Sequence, residues 1–272
     1  LDPSTHVFSP SQLDAYALCP FAWFAGRVLG LDRLEEEEAE DALPAAWGDL
    51  VHRVLARWSL ERGDLTEIAR EELAQPPWRD LHGPFWDAAR VELLERVLPR
   101  FLAAEESAGR VVARAEWRFG GEPGELEDPS STAAPLVLGG GDRPEVRVAG
   151  RVDRIDGDGV IYDYKTGRTP SLNDSVQGRS LQLPVYVLAA RRLLGEPNPR
   201  ATYFRLGKGG VGPLRASWPG KGDLAEACEA AEDRIVGLVE ALIAGEFTLI
   251  PWGREKCPPH CRFSRCCRVE AS

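Results

Sequence analysis

Apolar residues in the first 110 positions recur at the spacing of helices. The segment Ser9-Pro10-Ser11 is typical of a helix start, and it is followed at helical intervals by Leu13, Tyr16, Ala17 and Phe21. A second apolar stripe, within residues 45–63, comprises Trp47, Val51, Val54, Leu55 and Trp58, and a third helical block occupies residues 84–109. We therefore predict a mainly helical part over residues 1–110.

After residue 110 the pattern changes to the period of two that is typical of strands. VVARAEWRF, residues 111–119, is rich in β-branched and aromatic residues and predicts a strand. EVRVAGRVDRID, residues 145–156, alternates, and a Gly-Asp-Gly turn separates it from a further strand in VIYDYKTG, residues 160–167. An Asp-Gly pair between two such runs is a strong hairpin signal. This hairpin lies in the predicted catalytic α/β core, residues 111–210.

Helices and strands alternate in the remaining chain. Residues 179–195 return to helical spacing, where Pro184 must either lie in the first turns or kink the helix, and residues 200–206 predict a strand. Residues 222–272 predict a long helix followed by a cysteine-rich tail. The order of elements predicts an α/β fold in which a mixed central sheet is flanked by helices, as a single domain over residues 1–272.

The composition is that of a globular protein with an acidic balance. Of the 272 residues, 43% are apolar and 28% charged, and the formal net charge is −10. This balance argues weakly against a nucleic-acid binder. Much of the acid, however, lies in LDRLEEEEAED, residues 31–41, which is typical of a solvated connector. A local basic surface is an alternative, because basic residues concentrate in another stretch of the chain. These residues are Arg143, Arg147, Arg151, Arg154, Lys165, Arg168 and Arg179.

The sequence shows no sign of a membrane protein or a secreted one. No run of 18 apolar residues is present, and the N-terminal segment lacks the basic and apolar regions of a secretory signal. We therefore expect a cytoplasmic location and no membrane partner. The absence of methionine favours a piece of a longer polypeptide. A composition that simply avoids methionine is the alternative.

Two carboxylates and an ammonium group converge on the predicted hairpin. Asp163 and Lys165 are two residues apart and share one face of the strand, and Asp153 can approach them across the ladder. Mg²⁺ takes one or two carboxylates together with phosphate oxygens and water, and a lysine can stabilise developing phosphorane charge or position the attacking water. These groups suit metal-assisted phosphodiester hydrolysis. The alternative, charged residues on a solvated hairpin, is disfavoured by the apolar context VIYDY and by the permissive Thr166-Gly167 stop.

Five motifs in order resemble the RecB/AddB-type branch of the PD-(D/E)XK nuclease superfamily. The matching residues are Gly48 and His52 in GDLVH, Glu116 in AEWRF, Gly150 and Asp153 in GRVDR, Asp163 and Lys165 in DYKTG, and Gln182 and Tyr186 in QLPVY. The resemblance spans residues 9–268 and implies a restriction-endonuclease-like core with a helical N-terminal part.

The resemblance implies a metal site and a catalytic lysine. Asp153 and Asp163 would bind the catalytic Mg²⁺ or Mn²⁺, with His52 as an additional ligand. Lys165 would be the catalytic lysine. For His52, a helix histidine packed against the core is the alternative.

The resemblance also implies roles for three further residues. Glu116 would correspond to the acidic residue that members often carry on the first core strand; an exposed strand position is the alternative. Gln182 and Tyr186 are four apart, on one helix face, and would contact DNA near the site. Ordinary packing on the helix surface is the alternative for Tyr186.

Four of the six cysteines lie in the closing segment CPPHCRFSRCCRVEAS. Disulfides are disfavoured because no secretory signal is present and the thiols crowd at one end of a sizeable core. The spacing favours metal ligation by a late triplet together with one early cysteine: Cys257, Cys261, Cys267 and Cys19. Cys266 competes with Cys267 for its position. Zinc, for which His260 is available, and iron–sulfur are both candidates.

The resemblance implies that these cysteines hold a [4Fe–4S] cluster. AddB-type and CRISPR-associated exonucleases of the superfamily bind one through an early cysteine and a late Cys-x2-Cys-x5-Cys triplet. The interval from Cys261 to Cys267 matches, whereas that from Cys257 to Cys261 is one residue longer. The cluster would join the two ends of the domain as a C-terminal cysteine staple.

The residues and the resemblance together lead us to expect a Mg²⁺- or Mn²⁺-dependent deoxyribonuclease. It would act on single strands or DNA ends in end processing and recombinational repair, as the nuclease domain of an AddB-like helicase–nuclease subunit. Its partners would be DNA and a helicase subunit or domain. The alternatives are a stand-alone exonuclease of the CRISPR-adaptation type, a catalytically silent DNA-binding module of a helicase complex, and a zinc-stapled structural domain.

Overall fold

The helical part of the chain precedes the main sheet, as predicted. The computed structural model describes residues 5–31, 35–124, 126–207, 210–249, 261, 263 and 267, with residues 35–43 described in their backbone only. The first elements are β1 (Val7–Phe8), α1 (Pro10–Leu18), α2 (Pro20–Arg27), α3 (Glu35–Glu61), α4 (Leu65–Leu73), α5 (Pro84–Glu92) and α6 (Leu98–Ala108). No helix in these ranges is long and apolar enough to cross a membrane.

Strands and helices alternate in the second half. They are β2 (Val112–Phe119), β3 (Leu136–Gly139), β4 (Glu145–Val148), β5 (Gly150–Asp156), β6 (Val160–Lys165), α7 (Leu172–Val176), α8 (Gln182–Leu193), β7 (Arg200–Gly207), β8 (Gly210–Pro213) and α9 (Leu224–Ile243). The last helix ends at Ile243, just before a turn where Gly245 has a φ of 74°.

The main sheet is mixed. Its strand order is β2-β5-β6-β7-β8, and the only parallel neighbours in this described order are β6 and β7. Helices α7 and α8 make the crossover that such a pair requires. A smaller sheet has the order β1-β4-β3. The predicted fold class, a mixed sheet flanked by helices in the manner of restriction endonucleases, is confirmed.

Each face of the main sheet is covered by its own core. One core packs residues such as Trp117, Ile161 and Tyr203 against helices α1, α2, α8 and α9. The other packs Tyr164 and Phe204 against helices α3 to α6. The sheet is thus buried on both faces, and polar side chains within it must find partners there.

The segment 145–156, predicted as one strand, forms two strands in two sheets. The chain leaves the small sheet at Ala149, whose N–H donates to the carbonyl of Phe8 at 2.8 Å. Gly150 begins β5, and a Cβ there would lie only 2.7 Å from Cζ of Phe119. The alternation continues through this break, so the pattern alone could not reveal it.

The acidic run was wrongly predicted to be a connector. The backbone from Glu35 to Glu61 forms one helix, and glutamate and alanine both favour helix formation. Strands β1, β3 and β8 were not predicted either. They are only two to four residues long, which is too short for a clear period.

A buried ion network fastens the hairpin of β5 and β6 to the helical layer. Arg154 is fully buried, and its guanidinium contacts Oε2 of Glu105 at 2.7 Å and Oδ1 of Asp156 at 2.5 Å. Glu105 also pairs with Arg110 at 2.7 Å. Because an uncompensated buried charge is costly, this network fixes α6 relative to β5.

Candidate active site

The β5–β6 hairpin brings the two predicted carboxylates together. Arg154 pairs with Tyr162 in the antiparallel register, so the next pair away from the turn is Asp153 and Asp163. Oδ2 of Asp153 accepts a hydrogen bond from the backbone N–H of Tyr164 at 2.7 Å. Both carboxylates are buried, with 7% and 2% of their surface exposed. Two acids in such a position must share nearby positive charge.

The pKa values of the two carboxyl groups are shifted in opposite directions. Burial and then the charge of Asp153 raise the pKa of Asp163 to about 6. Burial also acts against ionisation of Asp153, but the charge and hydrogen bond of His52 and the Tyr164 N–H hold its pKa below the ordinary value. Neighbouring acids with pKa values that are pushed apart are typical of catalytic sites.

Lys165 ends β6 as a firmly held cation. Its Nζ lies 2.6 Å from Oδ2 of Asp163. Nζ donates to Oε1 of Gln182 at 3.1 Å and lies 5.5 Å from the ring centroid of Tyr203. Burial opposes the charged form, but Asp163 and Asp153 outweigh it and raise the pKa of Lys165. The amine is therefore protonated at neutral pH.

His52 reaches the hairpin from α3. Its Nδ1 lies 3.4 Å from Oδ1 of Asp153, and its Nε2 lies 3.2 Å from the carbonyl oxygen of Tyr164. Burial opposes protonation, but the charges of Asp153, Glu116 and Asp163 outweigh it and raise the pKa of His52 to about 9. The imidazole thus faces a concentration of negative charge rather than an apolar core.

Glu116 enters the site through an unusual backbone. It lies within β2 with a φ of 51°, a left-handed conformation that non-glycine residues rarely adopt. The side chain is buried, Oε2 lies 2.9 Å from Nε of Arg151, and Oε1 has no hydrogen-bond partner among the described residues. Burial and then the charge of Asp153 raise the pKa of Glu116 to about 8. Backbone strain and an unpaired buried oxygen together point to a functional role.

Three of these side chains form a group that fits a divalent cation. One ligand atom each from His52, Glu116 and Asp153 lies within 4.8 Å of the others. Carboxylate oxygens with one imidazole suit Mg²⁺ or Mn²⁺, and the unpaired Oε1 of Glu116 is an available ligand atom. The sequence predicted Asp163 as the second acidic ligand. In the structure Glu116 takes part in the group, whereas Asp163 contacts Lys165.

Gln182 and Tyr186 continue the chain of contacts from the lysine. Gln182 begins α8, and its Nε2 donates to the hydroxyl of Tyr186 at 3.1 Å while its Oε1 accepts from Lys165. Tyr186 is only 5% exposed. The geometry therefore favours positioning of the lysine by this pair. Direct contact with DNA stays a prediction.

All seven predicted active-site residues line one cleft of about 790 Å³. The walls come from the start of α1, from α3, from β2, β5 and β6, and from the start of α8. Trp78 and Arg53 lie on the same wall, with the guanidinium 5.8 Å from the indole centroid. The cleft opens to solvent beside the group of His52, Glu116 and Asp153.

Sequence reasoning missed the contribution of Asp14. Its carboxylate accepts hydrogen bonds from the N–H of Leu181 and the hydroxyl of Ser180, and so fixes the start of α8 beside the lysine. Burial raises the pKa of Asp14 to about 6. The two partners are more than 160 residues away in sequence, so no local signal could reveal the contact.

The structure describes Cys19 itself and part of the tail that follows α9. Cys19 lies between α1 and α2, and its Sγ accepts a hydrogen bond from the N–H of Ala22. The segment after α9 packs on these helices. Phe247 stacks on Phe24 at 4.5 Å between centroids, and the N–H of Phe21 donates to the carbonyl of Thr248.

Two predicted ligands of the tail are described and one is not. Cys261 is half-buried and Cys267 is buried, and both are free thiols, as is Cys19. Cys257 lies outside the described residues, as does Cys266, which competes with Cys267 for its position.

Comparison with known proteins gives a consistent result. A family model of the PD-(D/E)XK nuclease superfamily matches residues 7–268. Curated relatives named as the B-type subunit of an ATP-dependent helicase/deoxyribonuclease include that of Acetivibrio thermocellus, 27% identical over 210 residues, which cover 66% of this chain and 17% of that protein. The protein of the same name from Desulforudis audaxviator is 32% identical over 219 residues, with 68% and 17% covered. That from Desulfitobacterium hafniense is 32% identical over 209 residues, with 68% and 16% covered.

These relatives are much longer than the present chain. It spans less than a fifth of the length of each.

Proposed function

Because this chain belongs to the PD-(D/E)XK nuclease superfamily, we propose that it hydrolyses phosphodiester bonds of DNA with the aid of a divalent cation. The observation that carries the proposal is the single cleft that holds the group of His52, Glu116 and Asp153 beside the Asp163–Lys165 pair. Metal ligands alone would suit many reactions. A fixed ammonium group next to them suits a reaction in which phosphate oxygens gain negative charge.

In this proposal His52, Glu116 and Asp153 hold Mg²⁺ or Mn²⁺. A bound ion would supply a water of lowered pKa and positive charge at the scissile phosphate. That Asp163 also binds the ion stays a prediction, and its carboxylate has a second task in holding Lys165.

Lys165 acts in this scheme as an electrostatic group rather than as a base. Its raised pKa keeps the amine protonated, so it has no lone pair to accept a proton from water. An ammonium group has three donors, and Asp163 and Gln182 account for two contacts. The third N–H is available to a phosphate oxygen, where it stabilises the charge that develops in the transition state.

The substrate class follows from the relatives. They are named helicase/deoxyribonuclease subunits, and we extend this to the chain as the nuclease domain of an AddB-like subunit. Such a domain would act on single strands or ends that a helicase subunit or domain delivers. A stand-alone exonuclease and a silent DNA-binding module are the alternatives. The complete constellation around Lys165 favours activity.

Digestion of end-labelled single-stranded DNA tests the proposal. The protein with Mg²⁺ or Mn²⁺ should degrade the strand, and Asp163→Ala and Lys165→Ala should each lower the rate by about 100-fold or more. Lys221→Ala is the matched control, since this exposed lysine lies outside the cleft, and it should cleave normally.

The proposal fails if the unaltered protein leaves DNA intact with both cations, or if both cleft variants cut at the normal rate. Binding of DNA without cleavage would instead favour the silent module.

We further propose that Cys19, Cys257, Cys261 and Cys267 hold a [4Fe–4S] cluster. Support comes from the packing of residues 246–248 on α1 and α2, the two helices between which Cys19 lies. The free, buried thiol of Cys267 agrees with this assignment.

Metal analysis of anaerobically purified protein tests the cluster. We expect about four iron atoms per chain and absorbance near ~400 nm, both lost in Cys19→Ala and kept in Cys228→Ala. Cys228 is the matched control because it is a free cysteine buried on α9. Stoichiometric zinc without iron would overturn the proposal and favour the zinc staple.

A further inference from the structure

Two arginines and one lysine line the cleft within the described part of the chain, and they differ in their partners. Arg53 is paired with Glu72, a buried carboxylate outside the cleft lining, at 2.7 Å. Lys165 is held by Asp163 and Gln182. Arg151 differs from both because the carboxylate that it contacts, that of Glu116, belongs to the proposed metal-binding group.

The contact between Arg151 and Glu116 conflicts with metal binding. Nε of Arg151 lies 2.9 Å from Oε2 of Glu116, and Glu116 offers a ligand atom to the group with His52 and Asp153. A divalent cation and a guanidinium repel each other, and both are attracted by the same buried carboxylate. The positive charge of Arg151 therefore neutralises part of the negative charge of Glu116 that would otherwise attract the cation.

The side chains on the two sides of this contact differ in freedom. Glu116 is buried and fixed by its position in β2, whereas the side chain of Arg151 is 48% exposed. The neighbouring Arg118, directly opposite Arg151 in the ladder, is already paired with the carboxylate of Glu127, which is itself buried. On cation binding, Arg151 is thus the partner that can move, and it can move within the cleft.

We propose that Arg151 is a phosphate-binding residue that the divalent cation releases: the cation takes over Glu116, and the freed guanidinium contacts a DNA phosphate next to the scissile one. Guanidinium groups pair strongly with phosphate oxygens, often through two parallel hydrogen bonds. This inference rests on the proposed nuclease function. It makes DNA binding dependent on the cation through a side chain that does not bind the cation.

The proposal predicts a sign that separates it from a simple orienting role. If Arg151 competes with the cation, its removal strengthens cation binding and weakens DNA binding. If Arg151 only orients Glu116 as a ligand, its removal weakens cation binding. The two measurements below need no cleavage.

The first measurement is calorimetric titration with Mn²⁺, without DNA, in anaerobic buffer at pH 8.5. Arg151→Gln should bind Mn²⁺ about 3- to 10-fold more tightly than the unaltered protein, and Arg151→Lys, which keeps the charge, should stay within about twofold. Arg147→Gln is the matched control, because this partly exposed arginine on β4 pairs with Glu145 outside the cleft. It makes the same change in net charge and should leave the affinity unaltered.

The second measurement is binding of a single-stranded oligonucleotide across a range of salt, in Ca²⁺ and in EDTA. In Ca²⁺, Arg151→Gln should bind several-fold more weakly, and the slope of log affinity against log salt should fall by about one phosphate contact. In EDTA, Arg151→Gln should bind the oligonucleotide as tightly as the unaltered protein does. Without a cation, Arg151 of the unaltered protein is paired with Glu116 and does not contact DNA.

Weaker or unchanged Mn²⁺ binding by Arg151→Gln overturns the proposal, as does equal DNA binding in Ca²⁺ or the same loss in EDTA. Absence of Mn²⁺ binding by the unaltered protein also overturns it. If the two binding shifts occur but the unaltered protein leaves DNA intact, the proposed hydrolysis fails and the exchange of partners stands.

Discussion

At the scale of single residues, Gln182 orients the side chain of Lys165. It accepts from Nζ of Lys165 and donates to the hydroxyl of Tyr186, which is nearly buried. Because the tyrosine is held in place by its burial, it fixes the amide of Gln182. The amide in turn fixes Nζ at the end of the long side chain of Lys165. Loss of one such orienting hydrogen bond costs about 1 kcal/mol.

We expect Gln182→Ala to lower the single-turnover cleavage rate about 10-fold and to leave the affinity for single-stranded DNA in Ca²⁺ within about twofold. Cleavage and binding are measured on the same labelled strand. Gln177→Ala, an exposed glutamine of the loop after α7, should change neither. A loss of affinity at an unaltered rate would show instead that Gln182 contacts DNA.

Asp14 should make stability depend on pH. Burial raises its pKa from 3.8 to about 6 in the folded protein, so the folded state binds this proton more tightly than the unfolded chain. The resulting contribution to the free energy of unfolding is complete below about pH 4 and is lost as the pH rises through about 6.

Between pH 4 and pH 7, therefore, the free energy of unfolding should fall by about 1–3 kcal/mol more in the unaltered protein than in Asp14→Asn. Asparagine keeps an acceptor for the Leu181 N–H, so the comparison isolates the charge. Urea denaturation at several pH values measures the difference. Curves that run parallel would contradict it.

Single residues were predictable from sequence where strand geometry alone decides their position. The period of two put Asp163 and Lys165 on one face, and the hairpin register brings Asp153 opposite Asp163. The approach of Glu116 to His52 depends on a backbone φ of 51°, which no pattern of side chains encodes.

At the scale of elements, the transition from β4 to β5 shapes the floor of the cleft. The chain changes sheets at Ala149, and Gly150 then passes directly over the ring of Phe119 and close to Tyr186. A Cβ at Gly150 would lie 2.7 Å from Cζ of Phe119 and 3.4 Å from Cε1 of Tyr186. The phenylalanine is fully buried and cannot easily retreat.

Gly150→Ala should therefore lower the free energy of unfolding by about 1–3 kcal/mol through overpacking, as measured by urea denaturation. Gly157→Ala, in the turn of the same hairpin, is the control. A Cβ there would meet its nearest atom at 3.8 Å, an ordinary contact, so the change should be small. Equal effects of the two substitutions would exclude the close approach as the cause.

Elements were predictable in proportion to their length. Strand β6 and helix α8 have regular patterns and were found with nearly correct bounds. The sheet change at Ala149 escaped because alternation continues through it, and β3 escaped because four residues within a glycine-rich loop give no clear period.

At the scale of the whole molecule, the first two helices contact the segment that follows the last helix. Tyr16 donates to the carbonyl of Glu246 at 2.7 Å, and Phe247 packs among Tyr16, Trp23 and Phe24. The first helices are thus fastened to the segment that follows α9. The proposed cluster would add a covalent link at the same place.

Oxidative loss of the cluster should therefore lower the thermal stability of the unaltered protein and leave Cys19→Ala unaffected. A shift of a few degrees in Tm corresponds to about 1 kcal/mol for a chain of this size. Scanning calorimetry before and after exposure to air measures it. An unaltered protein with the same Tm in both states would contradict a structural role.

The backbone of Glu116 has a consequence for directed evolution of this domain. Glycine or asparagine tolerates a φ of 51° better than glutamate, and either would remove a buried carboxylate. A screen for heat resistance alone would therefore enrich such replacements at position 116 and discard a proposed metal ligand with each of them. Heat-resistant variants of this domain must therefore be screened for DNA cleavage as well as for thermal stability.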